Sequence, residues 1–174
     1  MDIAKKHVVI DLETLSTRNN AAIVSIGAVK IDNFEIVDTF YTNIDARVSK
    51  EIGLHIDMET IQWWSEQSKE AQEAWQKEPK HPHEAVRKFR EWYGNDSMYT
   101  WGYGANFDIV ILESTFAALD IKSHAFPWKF WDICCLRTLM NVTDKRLPKA
   151  NNHNALDDAM AEAIQPICNE VQAY

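Results

Sequence analysis

Two carboxylates separated by one residue, Asp11 and Glu13, end a short apolar run, Val8-Val9-Ile10. In a strand, residues i and i+2 point to the same side, so the two acids would stand side by side. Like charges that close are costly unless a cation sits between them. The chain offers a third acid in Asn106-Phe107-Asp108 and a further pair, Asp157 and Asp158, shortly after His153. Several hard oxygen ligands without a Cys or His cluster suit Mg²⁺ or Mn²⁺ better than zinc. Two such ions, roughly 3.5–4 Å apart, would activate a water and stabilise the leaving oxygen of a phosphodiester. His153 would supply a base of near-neutral pKa to take the proton from that water. Each feature has a plainer reading alone: Asp-x-Glu as a strand fraying into a turn, a histidine before a helix as a structural group. Their joint occurrence favours chemistry.

Those acids need a scaffold. His7 to Thr14 reads as a strand, Ile23 to Ile31 as a second one, and Ile36 to Ile44 as a third after the Asp32-Asn33 turn. Short connections suggest an antiparallel meander, with Gly27 allowing a neighbour to approach closely. From Asp57 the period changes to that of a helix, with Met58, Ile61, Trp64, Ala71 and Trp75 on one face up to the Glu78-Pro79 break. A second helix spans about His83 to Tyr93. Met98 to Gly102 is a fourth strand, and a helix follows from Phe107 to about Leu119. Ile133 to Met140 reads as a short helix or a strand–helix junction, preceded by an aromatic connector. A last helix runs from about Asn154 toward Val171, kinked at Pro166. The pattern is α/β with a mixed central β-sheet flanked by helices. With no repeat or linker, residues 1–174 are expected to form a single domain.

Three stretches together, Asp11-Leu12-Glu13-Thr14, Asn106-Phe107-Asp108 and His153 with Asp158 five residues on, resemble the exonuclease motifs of the DEDDh family. That family includes oligoribonuclease, RNase T and polymerase proofreading subunits. Ala22 to Ala28, Gln62-Trp63-Trp64 and Trp101 to Asp108 are similar to a branch of small phage and bacterial 3′→5′ exonucleases. The resemblance covers about His7 to Val171. It implies a ribonuclease H-like fold and two divalent metals, Mg²⁺ or Mn²⁺, held by Asp11, Glu13, Asp108 and Asp158. It also implies His153 as general base, release of nucleoside 5′-monophosphates from a 3′ end, and a homodimer as in oligoribonuclease and RNase T.

Asp157 and Asp158 compete for one role. Periodicity puts Leu156, Met160, Ala163, Ile164 and Ile167 on the core face, and Asp157 lies nearer that stripe. The family spacing selects Asp158 and leaves Asp157 as a helix-capping acid behind Asn154. Ala155, Ala159 and Ala161 leave room for a second close face that would accommodate Asp158.

Around the acids, Thr14 and Leu15 hold the position that in the family contacts the terminal nucleotide. Asn106 and Phe107 adjoin Asp108. On the helix, adjacent residues point about 100° apart, so with Trp64 in the core stripe, Gln62 or Trp63 is freer to stack on a base. Lys145, Arg146 and Lys149 form a basic loop that could guide phosphates or simply be solvated.

Composition narrows the partners. A net charge of −8 disfavours extended binding to duplex nucleic acid but allows a grip on a few nucleotides at a single-stranded 3′ end, DNA or RNA. Hydrophobic content of 46% with 25% charged residues is ordinary for a globular protein. No run approaches the roughly 20 apolar residues that span a bilayer, and no secretory leader is recognisable. A cytoplasmic protein without membrane association is expected. The three cysteines, Cys134, Cys135 and Cys168, indicate neither a disulfide framework nor a zinc site. Two other readings remain: a non-catalytic module binding nucleic acid or protein on the same fold, and a ribonuclease H-like endonuclease.

Overall fold

The computed structural model describes residues 6–96, 98–121, 127–142, 153–163 and 167–168. Strand β1 (His7–Thr14) pairs antiparallel with β2 (Ile23–Asp32), which pairs antiparallel with β3 (Glu35–Asn43). On its other side β1 pairs in parallel with β4 (Tyr99–Gly102), and β4 with β5 (Ile133–Cys135). The sheet order is therefore β3-β2-β1-β4-β5, a mixed sheet with β1 at its centre.

Helices α1 (Ala46–Glu51), α2 (Met58–Ser65) and α3 (Lys69–Ala74) follow β3. The single helix expected from Asp57 to Glu78 is two. Residues 66–68 break it, and the Ser68 side chain accepts from Ala71 N–H to start α3. Then come α4 (Pro82–Tyr93), α5 (Ala105–Ala118), α6 (Leu136–Val142) directly after β5, and α7 (Ala155–Ala163). The strand–helix junction expected over 133–140 is present. The Pro166 kink and the basic loop of Lys145, Arg146 and Lys149 lie outside the described residues.

β1 sorts its side chains by alternation. Val8, Ile10 and Leu12 enter a large core with Val86 and Phe89 of α4 and Ile109, Leu112 and Phe116 of α5. Val9 joins the opposite cluster with Val29, Ile31, Trp101, Ala159 and Ala163. Asp11 and Glu13 follow Val9 in that alternation, so they face the layer that α7 covers. No described helix is long and apolar enough to cross a membrane.

Candidate active site

The site begins where β1 runs out of apolar residues. Carboxylate oxygens of Asp11, Glu13 and Asp158 lie within 4.8 Å of one another. A register shift between Glu13 and Thr14 ends regular pairing there. The Thr14 carbonyl accepts from Trp64 Nε1 at 2.9 Å, and Asp57 N–H donates to the Leu15 carbonyl at 2.8 Å. These bonds fasten α2 against the acidic end of the strand, with the Asp57 side chain capping it through Glu59 N–H.

α7 delivers Asp158, and Gly27 decides how closely. A Cβ at Gly27 would lie 2.1 Å from the Ala155 carbonyl carbon and 2.3 Å from the Leu156 nitrogen. Only a glycine in β2 lets the helix backbone rest on the sheet. Contact that close also requires small helix residues, so the buried stripe is Ala155, Ala159 and Ala163, while Leu156 and Met160 are only half-buried. The anticipated core face holds where it is described, with Ala163 and Ile167 buried in the cluster and Leu156 and Met160 packed on its margin, but it does not bring Asp157 inward. Asp157 is exposed and Asp158 half-buried. Asn154 caps the helix, its side-chain oxygen accepting from Leu156 and Asp157 N–H at 3.1 and 3.2 Å.

Asp108 arrives from the first turn of α5 and is 4% exposed. Gly102 makes its space: a Cβ there would meet Asp108 Oδ2 at 2.9 Å. Burial pushes the Asp108 carboxyl up to about 7, against backbone hydrogen bonds from Asp108 itself, Leu12 and Gly104. Burial likewise raises Glu13 to about 8, helped by Asp158 and Asp108. Asp11 is pushed well above the usual carboxylate range by burial, then by the charges of Glu162, Asp108, Glu13 and Asp158. Asp158 is raised by burial, with His153 pulling it back.

Glu162 is the acid that sequence reasoning missed. It is 8% exposed and raised to about 9 by burial and by the charges of Asp108 and Asp158. It lies one turn after Asp158 on α7, and that i, i+4 spacing is the signal that could have found it.

A divalent cation fits this donor set on the structure's own terms. Among the described residues, Asp158 Oδ1 and Glu162 Oε2 are buried without a hydrogen-bond partner. Such orphaned acceptors are rare in folded proteins unless something binds them, and mutually destabilised carboxylates are what a cation relieves.

His153 adopts a positive φ of 44° immediately before Asn154. Its ring stands edge-on to Trp63 at 4.9 Å and to Trp64 at 6.2 Å. Beside it a cavity of about 430 Å³ is lined by Leu12, Glu13, Thr14, Thr17, Asp57, Glu59, Thr60, Trp63, Trp64 and Phe107. Of the secondary candidates, Thr14, Trp63 and Phe107 therefore border the acids. Leu15 is buried with Val24, Trp64 and Ala71 and lines an adjoining cavity of about 270 Å³. Gln62 and Asn106 are exposed and line neither cavity.

The model of the Rv2179c-like 3′–5′ exoribonuclease domain matches residues 6–167. The chain belongs to that family. As a member of that family it is a 3′–5′ exonuclease, and the mixed sheet with flanking helices is the ribonuclease H-like fold. A curated relative, the exodeoxyribonuclease of Enterobacteria phage T4, is 29% identical over 197 residues, covering 90% of this chain and 85% of that protein. Among solved structures, the nuclease domain of 3′hExo bound to rAMP matches with a TM-score of 0.61 at 15% identity, covering 93% of this chain and 90% of that one. E. coli ExoI in complex with single-stranded DNA matches with a TM-score of 0.65 at 10% identity, covering 97% of this chain but only 41% of that longer one.

Proposed function

We propose that residues 1–174 form a single exonuclease domain that removes nucleoside 5′-monophosphates from a free single-stranded 3′ end with two divalent cations, Mg²⁺ or Mn²⁺. The observation that carries this reading is the convergence of Asp11, Glu13 and Asp158 within 4.8 Å, against buried Asp108 and beside an aromatic-walled cavity. Asp11, Glu13, Asp108 and Asp158 would hold the cations. When bound, the cations would activate the attacking water and neutralise charge at the scissile phosphate.

The chain's own groups do the rest. His153 accepts the proton of the attacking water. Its ring is held edge-on by Trp63, which restricts it to the side of the site that Asp158 shares. Phe107 and Trp63 offer faces on which the terminal base can stack, a contact worth about 1–3 kcal/mol and indifferent to base identity. Thr14, Leu15, Gln62 and Asn106 complete the candidate contacts to the terminal nucleotides. Glu13, Asp57 and Glu59 line the cavity, so it favours a base and sugar over a phosphate.

The test is digestion of matched 5′-labelled DNA and RNA strands with Mg²⁺ and with Mn²⁺. Stepwise shortening from the 3′ end with release of 5′-monophosphates is expected, and the faster substrate identifies the preferred sugar. A 3′-phosphorylated strand should resist. Cleavage of a circular single strand would replace this reading with an endonuclease.

A further inference from the structure

We propose that Glu162, outside the four acids of the family motifs, is a fifth carboxylate of the metal centre, supporting Asp11 and Asp158 in holding a divalent cation. The inference rests on the metal-site reading above. Among the described residues, Glu162 is the charged side chain of α7 that the fold buries, at 8% exposure. It stands beside a stripe of alanines that packs on β1 and β2. Nothing in that packing calls for an acid: an alanine or methionine would fill the space without desolvating a charge.

Its surroundings point the other way. Glu162 Oε2 is buried and has no hydrogen-bond partner among the described residues. The charges acting on it are themselves carboxylates, Asp108 and Asp158, and of the charges acting on Asp11 its own is the largest. An acceptor with free lone pairs, placed among like charges, has no favourable partner among the described residues. A cation drawn to Asp11 and Asp158 supplies one. The i, i+4 relation to Asp158 sets Glu162 one turn deeper on the same helix face, where it acts as a supporting carboxylate behind the ligands that meet the substrate. Groups just outside the ligands commonly tune metal affinity.

The experiment is titration of the metal-free full chain with Mn²⁺, read by calorimetry and by the electron paramagnetic resonance of free Mn²⁺. E162Q keeps shape and removes charge, and should bind Mn²⁺ about 10–100-fold more weakly. E162D keeps the charge with a shorter reach and should recover part of the affinity. Without metal, E162Q should melt at the same temperature as the unaltered protein or higher, since a repulsive charge is gone. Unchanged Mn²⁺ affinity in E162Q, alongside a weakened D11N, would overturn the role of Glu162 and leave the metal centre standing. If D11N also bound Mn²⁺ normally, the metal-centre reading itself would fall. An E162Q protein that cannot fold without metal would likewise overturn the proposal, because the carboxylate would then serve the fold.

Discussion

The two faces of β1 are built on opposite principles. On one, Val8, Ile10 and Leu12 are fully or almost fully buried in an apolar cluster with α4 and α5. On the other, after Val9, the alternation places Asp11 and Glu13, which meet Asp108, Asp158 and Glu162. One strand thus carries both fully buried apolar packing and crowded buried carboxylates. Stability resides on one face and latent binding energy on the other, and substitutions one residue apart should act in opposite ways.

The largest effect is expected at the acids. Asp11→Asn or Asp108→Asn should abolish hydrolysis while circular dichroism and metal-free melting stay unchanged or improve; full activity in Asp11→Asn would refute the assignment. His153→Ala should lower kcat by about 10²–10⁴-fold with little change in KM, and higher pH should restore part of it as hydroxide replaces the base. Normal kcat with weakened binding would make His153 a substrate contact. On the apolar face, Ile10→Ala should cost about 2–5 kcal/mol of unfolding free energy yet leave kcat intact in the molecules that remain folded.

The comparison also predicts a pH dependence. Glu13 is held at about 8 in the folded chain, whereas an exposed glutamate titrates near 4.3. Between those values the native state binds more protons than the unfolded one, so stability falls as pH rises. Metal-free protein should therefore melt at progressively lower temperature from about pH 4.5 to 8. Mg²⁺ should remove most of that slope, and a flat metal-free profile would contradict the crowding of acids. The smallest effect is expected at Asp157, which is exposed while Asn154 performs the capping. Asp157→Asn should change stability by no more than about 0.5 kcal/mol and leave turnover intact, in contrast to Asp158→Asn.

Much of this was legible in the residues. An apolar run ending in Asp-x-Glu defines both a central strand and the side its acids face, because alternation has a fixed period of two. Gly27 announced a close neighbour. Where the sequence misled, tertiary contact was the reason. Leu156 and Met160 look like the centre of the core face by size and spacing, but the approach of α7 to Gly27 puts Ala155, Ala159 and Ala163 there and leaves the two larger residues on its margin. Glu162 escaped notice because hydrophobic periodicity consigns acids to solvent. The break between α2 and α3 is held by the Ser68 cap and by Gln72 donating to the Ser65 and Gln67 carbonyls, within a stretch where Glu66 and Gln67 would continue a helix readily.

The seating of α7 on Gly27 has a consequence in time. β1, β2 and β3 are consecutive in the chain, the first two joined by residues 15–22 and the last two by residues 33–34, so their pairing needs only local contacts and brings Asp11 and Glu13 into register early. Asp158 reaches them only when a helix much later in the chain docks, a contact of long sequence separation and correspondingly slow formation. On the proposed reading the site is complete only when this one short helix docks, and amide hydrogen exchange within α7 would report that step.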